Sequence, residues 1–336
     1  MKRQGICVAG NMVVDILYPV SGLPGPGELT TITGARSRST GGALCNVIMD
    51  LARLDPTLRL TALGRLGDDP EGDLVMERLS VYPNINVANI IREGNTTFTL
   101  VMADEITKQR SFFIYRGASA DFSEGDIDWA AIDAGFLHIG YILLLDALDR
   151  EDGEYGTKMA RLLHSAKQHG IKTSIDVVSE KGNRYARLVP PALKYTDYCI
   201  INEIEAEKTT GVLLRRNDGV LLPDNMPAVL TKLFEMGVST WAVVHCVEGG
   251  YGMDAAGNYV AVNSLTLDDT FIKGSVGAGD AFCAGALLAG YEGQPLKDGI
   301  ALGIAAAACS LSESDATSGM KTKQDALALY TQLRSR

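Results

Sequence analysis

The residues best suited to chemistry lie at positions 273–282, which read KGSVGAGDAF. Gly277, Ala278 and Gly279 precede Asp280, and the apolar, alanine-rich run after Asp280 predicts a helix. The first turn of a helix has unpaired backbone N–H groups and the positive end of the peptide dipoles, and glycine lets an anion approach that backbone closely. A carboxylate beside such an anion hole predicts a base acting next to a phosphate. Phosphoryl transfer to a hydroxyl needs both functions.

The same residues also have a plain structural interpretation, a tight turn with Asp280 as a helix cap, and the motif alone supports both equally. Two other phosphate-binding motifs are excluded. The dinucleotide fingerprint needs a glycine where Phe282 stands and a strand–turn–helix opening before it. The Walker phosphate loop needs a Gly-Lys dipeptide, which the sequence lacks.

The composition limits the classes of partner. The 336 residues are 46% hydrophobic, which is enough apolar material for a large core. A net charge of −10 argues against nucleic acid or an anionic membrane as the main partner. We find no signal peptide and no apolar run of membrane-spanning length, so we expect a soluble, cytoplasmic protein.

Short apolar runs alternate with helical patterns along most of the chain. The predicted strands are residues 6–9, 60–63, 136–139, 172–176, 198–201 and 241–245. The predicted helices are residues 43–54, 71–79, 158–169, 225–236 and 281–291, with a helical tail from Lys297 onward. This rhythm predicts a mostly parallel α/β sheet covered by helices on both faces.

Two segments break this rhythm. Residues 16–39 are rich in proline and glycine and then in threonine, whereas residues 96–116 contain two alternating stretches, 97–103 and 110–115, around a polar turn. We interpret both segments as an antiparallel flap at the edge of the main sheet. Surface hairpins without a function are the alternative.

Further motifs stand in a fixed order along the chain: residues 10–15 (GNMVVD), 41–46 (GGALCN), 64–69 (GRLGDD) and 202–205 (NEIE). Together with residues 277–280 they form a set that resembles the ribokinase-like family, the phosphofructokinase-B (PfkB) type carbohydrate kinases. The resemblance runs from Gly5 to about Leu311. It implies a three-layer αβα fold in one domain over residues 1–336, with the two irregular segments as a β-flap, or lid.

The resemblance also assigns roles to residues. Asp280 matches the catalytic base, and Gly277, Ala278 and Gly279 match the anion hole. The sugar-binding positions of the family correspond here to Asp15, Gly41, Gly42 and Asn46.

A second set of positions concerns the nucleotide. Asn202 and Glu205 match an Asn-x-x-Glu motif that orders magnesium and phosphate, with Glu205 acting through water. The implied cofactors are therefore ATP and Mg²⁺. Relatives carry Thr-x-Gly against the ATP phosphates where this chain has residues 245–247 (HCV), so we expect the phosphate contact to move to Gly249 and Gly250.

Other departures from the family pattern bear on ions and on the acceptor. Gly274 and Ser275 replace the usual Asp-Thr beside a monovalent cation, which leaves potassium activation open. Ala43 stands where ribokinases have lysine and resembles the fructokinase-type branch. Arg116 follows the flap and is in reach of a sugar hydroxyl or an acidic group, and a surface arginine is the equal alternative.

The sequence therefore predicts an ATP-dependent kinase for a small sugar or sugar acid. A nucleoside kinase on the same fold is the alternative, because Phe98, Phe112, Phe113 and Tyr115 of the flap offer an aromatic surface for a base. A sugar-binding regulator without catalysis ranks below both, since the base and the anion hole are intact. We also expect a homodimer formed through the flap.

Overall fold

The computed structural model describes residues 3–107, 109–268 and 270–334. Within them the strands are β1 (Ile6–Ala9), β2 (Val13–Val20), β3 (Ser37–Gly41), β4 (Leu60–Leu66), β5 (Ile85–Asn86), β6 (Ile90–Arg92), β7 (Thr97–Asp104), β8 (Arg110–Tyr115), β9 (Phe136–Ile142), β10 (Glu151–Asp152), β11 (Gly156–Thr157), β12 (Lys172–Val177), β13 (Tyr198–Asn202), β14 (Trp241–Cys246), β15 (Gly249–Asp254) and β16 (Tyr259–Asn263). The helices are α1 (Ala43–Leu54), α2 (Pro70–Ser80), α3 (Lys158–Gln168), α4 (Tyr185–Leu193), α5 (Glu203–Thr210), α6 (Met226–Glu235), α7 (Ala278–Tyr291), α8 (Leu296–Leu311) and α9 (Lys323–Arg334).

The main sheet follows the order β16-β15-β14-β13-β12-β9-β1-β4-β5, with β6 also paired to β4. Its strands from β14 to β5 pair in parallel, whereas β15 and β16 continue the sheet as antiparallel strands at one edge. The prediction of a mostly parallel sheet is confirmed. Because parallel strands end at the same edge, the polar residues that follow them are brought together there.

Helices cover both faces of this sheet and bury two apolar clusters. One cluster joins the sheet to α1, α7 and α8, and the other joins it to α3, α4 and α6. The middle of α7 is buried on every side, which explains why its sequence is apolar all round rather than amphipathic. The predicted helices on both faces are thus confirmed.

A second, smaller sheet has the order β3-β2-β7-β8, and we call it the lid. The hairpin β7–β8 and the pair β2–β3 are antiparallel, as predicted, but β2 and β7 pair in parallel. The prediction of a fully antiparallel flap was therefore wrong. The reason is that β2 and β7 follow β1 and β6, which run in the same direction, so both strands leave the main sheet from the same edge.

The helices in the described part of the chain are all too short or too polar to cross a membrane.

Candidate active site

Helix α7 begins at the glycine-rich motif, as the sequence predicts. Gly277 caps the helix with a φ of 77°, and a Cβ at this position would approach the Cβ of Ala316 to 2.4 Å, so only glycine fits. The backbone N–H groups of Gly279 and Asp280 have no acceptor in the part of the chain that the structure describes. These two groups are therefore free to bind an anion.

Asp280 lies in the first turn of α7, and its side chain is held by two distant elements. Its Oδ2 atom accepts a hydrogen bond of 2.8 Å from the Nδ2 of Asn46 on α1 and one of 3.0 Å from the hydroxyl of Tyr141 at the end of β9. No hydrogen bond from a described residue reaches Oδ1. The carboxylate is thus oriented by one oxygen and has the other available for a ligand.

The environment of Asp280 suits a proton acceptor. The residue is 4% exposed, and burial raises the pKa of its carboxyl to about 6, although the hydrogen bonds from Asn46 and Tyr141 act in the opposite direction. A base with a pKa just below neutrality is ionised at neutral pH and still takes up a proton readily.

Asp280 lines a polar cavity with a volume of about 220 Å³, and two further buried acids line the same cavity. Asp176 is the penultimate residue of β12 and Glu205 lies in α5. Burial raises the pKa of both carboxyls, and repulsion between them adds to the effect on Asp176. Three carboxyls this close destabilise one another unless cations or protons neutralise them. The sequence reasoning predicted Glu205 and missed Asp176, whose one signal is an acidic residue at the end of a buried strand.

The Asn-x-x-Glu motif forms a capping box at the start of α5. Glu205 accepts hydrogen bonds from the backbone N–H of Asn202 at 3.0 Å, from its side-chain amide at 2.6 Å and from the hydroxyl of Ser179 at 2.8 Å. In return, the Oδ1 of Asn202 accepts from the backbone N–H of Glu205 at 2.9 Å. The carboxylate is therefore fixed, and it faces the cavity in a defined orientation.

Asp15 lies on β2 of the lid, not on the main sheet, and burial raises its pKa. It belongs to a row across the lid, in which Ser39, Asp15, Thr99 and Ile114 stand side by side and share one face of the sheet. Thr99 hydrogen-bonds to the Asp15 carboxylate. A ligand held by Asp15 would therefore connect the lid to the main sheet.

The two glycines of the GGALCN motif lie where the lid meets α1. A Cβ on Gly41 would come within 2.9 Å of the Asp15 Oδ2. Gly42 caps α1 with a φ of 86°, and a Cβ there would approach the carbonyl oxygen of Asn11 to 2.5 Å. Both positions exclude a side chain because Asp15 and the backbone of Asn11 fill the space, and neither glycine nor Asp15 is among the residues that line the polar cavity.

Arg116 follows β8 and is half-buried. It forms an ion pair of 3.0 Å with Asp146 and donates a hydrogen bond of 3.3 Å to the carbonyl oxygen of Leu143. Its Nη1 is buried and has no partner within the described residues. An unpaired buried guanidinium nitrogen is costly, so this arginine favours an added acceptor over the plain surface interpretation.

The glycines after β14 lie in the antiparallel strand β15. Gly249 lines a second, apolar cavity of about 550 Å³, whereas Gly250 packs against Phe282 and Ile300 and is not among its lining residues. The phosphate contact through these glycines stays a prediction.

The apolar cavity adjoins the polar one, because His245 and Gly279 line both. Its other walls are mostly aliphatic or aromatic, with Val247, Leu265, Leu267, Ile272, Phe282, Ile304 and Leu311 among them. The site therefore has an apolar compartment and an acidic compartment that meet at the start of α7.

Known proteins share this architecture. A curated relative, the 5-dehydro-2-deoxygluconokinase of Listeria innocua serovar 6a, is 21% identical over 303 residues, 87% of each chain. The solved ribokinase of Arabidopsis thaliana complexed with ribose and ATP superposes with a TM-score of 0.79 at 19% identity, over 98% of this chain and 99% of that one. The Thermotoga maritima ribokinase gives 0.78 at 20% identity, over the same shares of the two chains.

The family model for pfkB family carbohydrate kinases matches residues 3–323, nearly the whole chain. The resemblance seen in the motifs is therefore confirmed, and with it the three-layer ribokinase-like fold. This chain belongs to the pfkB family of carbohydrate kinases.

Proposed function

We propose that the protein transfers the γ-phosphate of ATP to a hydroxyl of a small sugar or sugar acid. The observation that carries this proposal is the arrangement of Asp280: the residue lines the polar cavity, its Oδ1 has no partner among the described residues, and it lies in the first turn of α7 with the free backbone N–H groups. The acceptor hydroxyl donates its hydrogen bond to Oδ1 and loses its proton to the carboxylate as the phosphoryl group arrives. The backbone N–H groups of Gly279 and Asp280 stabilise the negative charge of the group in transfer, whereas the N–H of Ala278 already donates to the carbonyl oxygen of Ser275.

The apolar cavity is the natural position for the adenine of ATP. Its walls match the apolar character of a base, and its junction with the polar cavity at Gly279 directs the phosphates toward Asp280. The ribokinase of Arabidopsis thaliana, solved with ribose and ATP, has the same fold, which supports ATP as the nucleotide.

The acidic compartment fits a magnesium ion held through water. Asn202 and Glu205 offer oxygen atoms, the donors that Mg²⁺ prefers, and a cation would offset the repulsion between the buried carboxyls. When bound, Mg²⁺ neutralises charge on the phosphates. Glu205 orients the water shell, and its own orientation comes from the capping box.

The variant Glu205→Gln is expected to raise the Mg²⁺ concentration needed for half-maximal rate, with little change in acceptor KM. Both oxygens of Glu205 accept hydrogen bonds, from the N–H groups of Asn202 and from the Ser179 hydroxyl, and the amide keeps only one accepting oxygen, so the capping box is weakened together with the loss of the negative charge. The matched control is Glu207→Gln on the same helix, whose carboxylate also binds backbone N–H groups but lines neither cavity. A magnesium titration that overlays that of the parent protein would contradict this role.

Asp15 is proposed to bind acceptor hydroxyls from the lid. The variant Asp15→Ala is expected to lower acceptor affinity about 10- to 100-fold and to leave ATP affinity unchanged, because hydrogen bonds to a charged group contribute roughly 1.5–3 kcal/mol. Calorimetry with each substrate separately measures both. The control Glu105→Ala removes a carboxylate from the lid turn, six residues along the chain from Thr99, the strand partner of Asp15. Unchanged acceptor affinity in Asp15→Ala would leave Asp15 with a structural role only.

Arg116 is proposed to favour sugar acids over neutral sugars as acceptors. Its unpaired buried nitrogen favours an acidic group, and the Listeria relative is named for an acidic acceptor. A panel of ribose, fructose, 5-dehydro-2-deoxygluconate, 2-dehydro-3-deoxygluconate and nucleosides, followed by ADP release, tests the proposal. A sugar acid as best acceptor, with its advantage lost in Arg116→Gln, supports this assignment. The absence of acceptor-dependent ADP release with every compound would contradict a kinase function for this site.

A nucleoside kinase is the second candidate. The rings of Phe98 and Tyr115 lie 5.3 Å apart on the lid, but they alternate with Thr99 and Ile114 and so stand on the face opposite to Asp15, which argues against them as the stacking surface for a base. A nucleoside as best acceptor in the same panel would select this function.

A further inference from the structure

The strand that leads into the active site ends in an unusual turn. Tyr141 and Leu143 have φ values of 61° and 83°, and they are the only non-glycine residues with positive φ in the part of the chain that the structure describes. This region of backbone space is unfavourable for residues with a Cβ, and it persists only where the surroundings stabilise it. Such an outlier beside a catalytic site therefore requires a physical reason.

Several hydrogen bonds hold this turn in place. The backbone N–H of Leu143 donates to Asp149 at 3.1 Å. The Leu143 carbonyl oxygen accepts from Arg184 at 2.7 Å and from Arg116 at 3.3 Å. The turn is thus fixed by charged side chains from three separate segments, which offset the cost of its backbone conformation.

The conformation places the Tyr141 hydroxyl against the proposed base. The hydroxyl donates a 3.0 Å hydrogen bond to Oδ2 of Asp280, the same oxygen that accepts from Asn46. Both donors therefore hold one oxygen and leave the other without a partner among the described residues, and Asp280 and Tyr141 both line the polar cavity. No other hydroxyl of a described residue hydrogen-bonds to this carboxylate.

We propose that Tyr141 is a positioning residue for Asp280: its hydroxyl fixes Oδ2, so that Oδ1 alone faces the acceptor and the carboxylate stays ionised. The inference rests on the proposed function of Asp280 as base. Neither the family motifs nor the sequence pattern assign a role to this tyrosine. A phenol suits the role because it donates a strong hydrogen bond, and burial raises its pKa so that it keeps its proton.

The groups around Asp280 determine in which direction its pKa moves when the Tyr141 hydroxyl is removed. A hydrogen bond donated to a carboxylate stabilises the charged form, so its loss raises the pKa of Asp280. The other titratable groups that face Asp280 or share its cavity are Cys45 and Asp50 on α1, Asp176 on β12, Glu205 on α5, His245 on β14 and Cys283 on α7. Burial raises the pKa of Asp280, and the hydrogen bonds from Asn46 and Tyr141 are the two contacts that oppose it. An ionised Asp280 in turn raises the pKa of Asp50, Asp176 and Glu205.

The variant Tyr141→Phe tests the inference, because it keeps the ring and removes the hydroxyl. We expect the pKa of Asp280 to rise by about one unit, the size of one charged hydrogen bond. NMR titration of protein labelled at aspartate Cγ measures this without any substrate, with Asp280→Asn used to assign the resonance. Equal titration of Asp280 in Tyr141→Phe and in the parent protein would overturn the proposal.

Kinetics with the best acceptor of the panel give a second readout. In Tyr141→Phe the acid limb of kcat/KM should move up by about one pH unit, so that activity below both midpoints falls about tenfold relative to the plateau. The control is Tyr291→Phe, which removes a hydroxyl that accepts from the backbone of Gly5, far from this cavity. Tyr291→Phe is expected to lower the stability of the protein and to leave the midpoint of the acid limb unchanged.

The outcomes separate the two proposals. A Tyr141→Phe profile with the parent midpoint, whatever its plateau height, contradicts the positioning role alone. Retained turnover in Asp280→Asn contradicts the proposed base, and with it the function on which this inference rests.

Discussion

The variant Asp280→Asn is expected to lower kcat about 10²- to 10⁴-fold while acceptor binding is nearly unchanged. An asparagine keeps the shape of the side chain, and its oxygen still accepts from Asn46 and Tyr141. Its amide nitrogen then faces the acceptor and cannot take a proton. Steady-state kinetics measure the loss of turnover, and calorimetry with the acceptor alone measures binding.

A matched control for this prediction is Asp50→Asn. Asp50 is a fully buried aspartate on α1 whose pKa burial raises well above its usual range, but it is not among the residues that line the polar cavity. It tests whether the loss of any buried carboxyl near α7 reduces the rate. Equal turnover in Asp280→Asn and the parent protein would remove Asp280 from the chemistry, whereas an equal loss in both variants would indicate a general structural effect.

The main features of the fold could be predicted because they depend on local patterns. The sequence patterns predict helix α1 and the hairpin strand β8 with the bounds that the structure shows, Ala43–Leu54 and Arg110–Tyr115. Strands β4 and β9 continue for three residues beyond the predicted ends, as shown by Leu66 and Ile142. Their last residues, which include Gly64, Arg65 and Gly140, lack the apolar character of a buried strand, and pairing with neighbours extends the strands there.

Other elements were missed for identifiable reasons. Helix α4 contains Pro190 and Pro191, which argue against a helix, but both lie near its C-terminal end, and packing of Leu188 and Val189 stabilises it. The antiparallel strands β15 and β16 follow an otherwise parallel rhythm and contain several glycines and polar residues. Packing against the rest of the fold stabilises α4, β15 and β16, and a local sequence pattern carries no information about that packing.

In the candidate site, too, some residues could be predicted from the sequence and others are brought together only by the fold. Asp280 and its glycines stand together in the sequence, so their chemistry could be predicted from the motif alone. Asn46 and Tyr141 lie 234 and 139 residues from Asp280 along the chain, and only the fold shows that they meet at its Oδ2 atom. Nothing in the sequence around Tyr141 signals a positive φ, since that conformation depends on Asp149, Arg116 and Arg184.

The edge strand β8 of the lid exposes consecutive large side chains. Phe112, Phe113, Ile114 and Tyr115 are 65%, 60%, 46% and 45% exposed. An edge strand with apolar side chains on both faces requires a partner, and a two-fold contact with a second copy reuses one surface. We therefore expect a homodimer through the lids, in which the partner holds each lid closed over its acceptor and excludes water from the phosphoryl group.

The variant Phe113→Asp is expected to raise the dimer dissociation constant about 10²- to 10⁴-fold and to raise acceptor KM in parallel. A symmetric interface loses two buried phenylalanines, each contributing about 1.5–3 kcal/mol, and it gains two carboxylates that must lose their water. Light scattering across a dilution series measures the first effect, and kinetics at the same concentrations measure the second.

The control Leu213→Asp changes a similarly exposed apolar residue after α5, outside the lid. A parent protein that is monomeric at assay concentration contradicts the dimer. A monomeric variant with the parent KM would show instead that lid closure does not depend on the partner, because the chemistry of each site would then be complete within one chain.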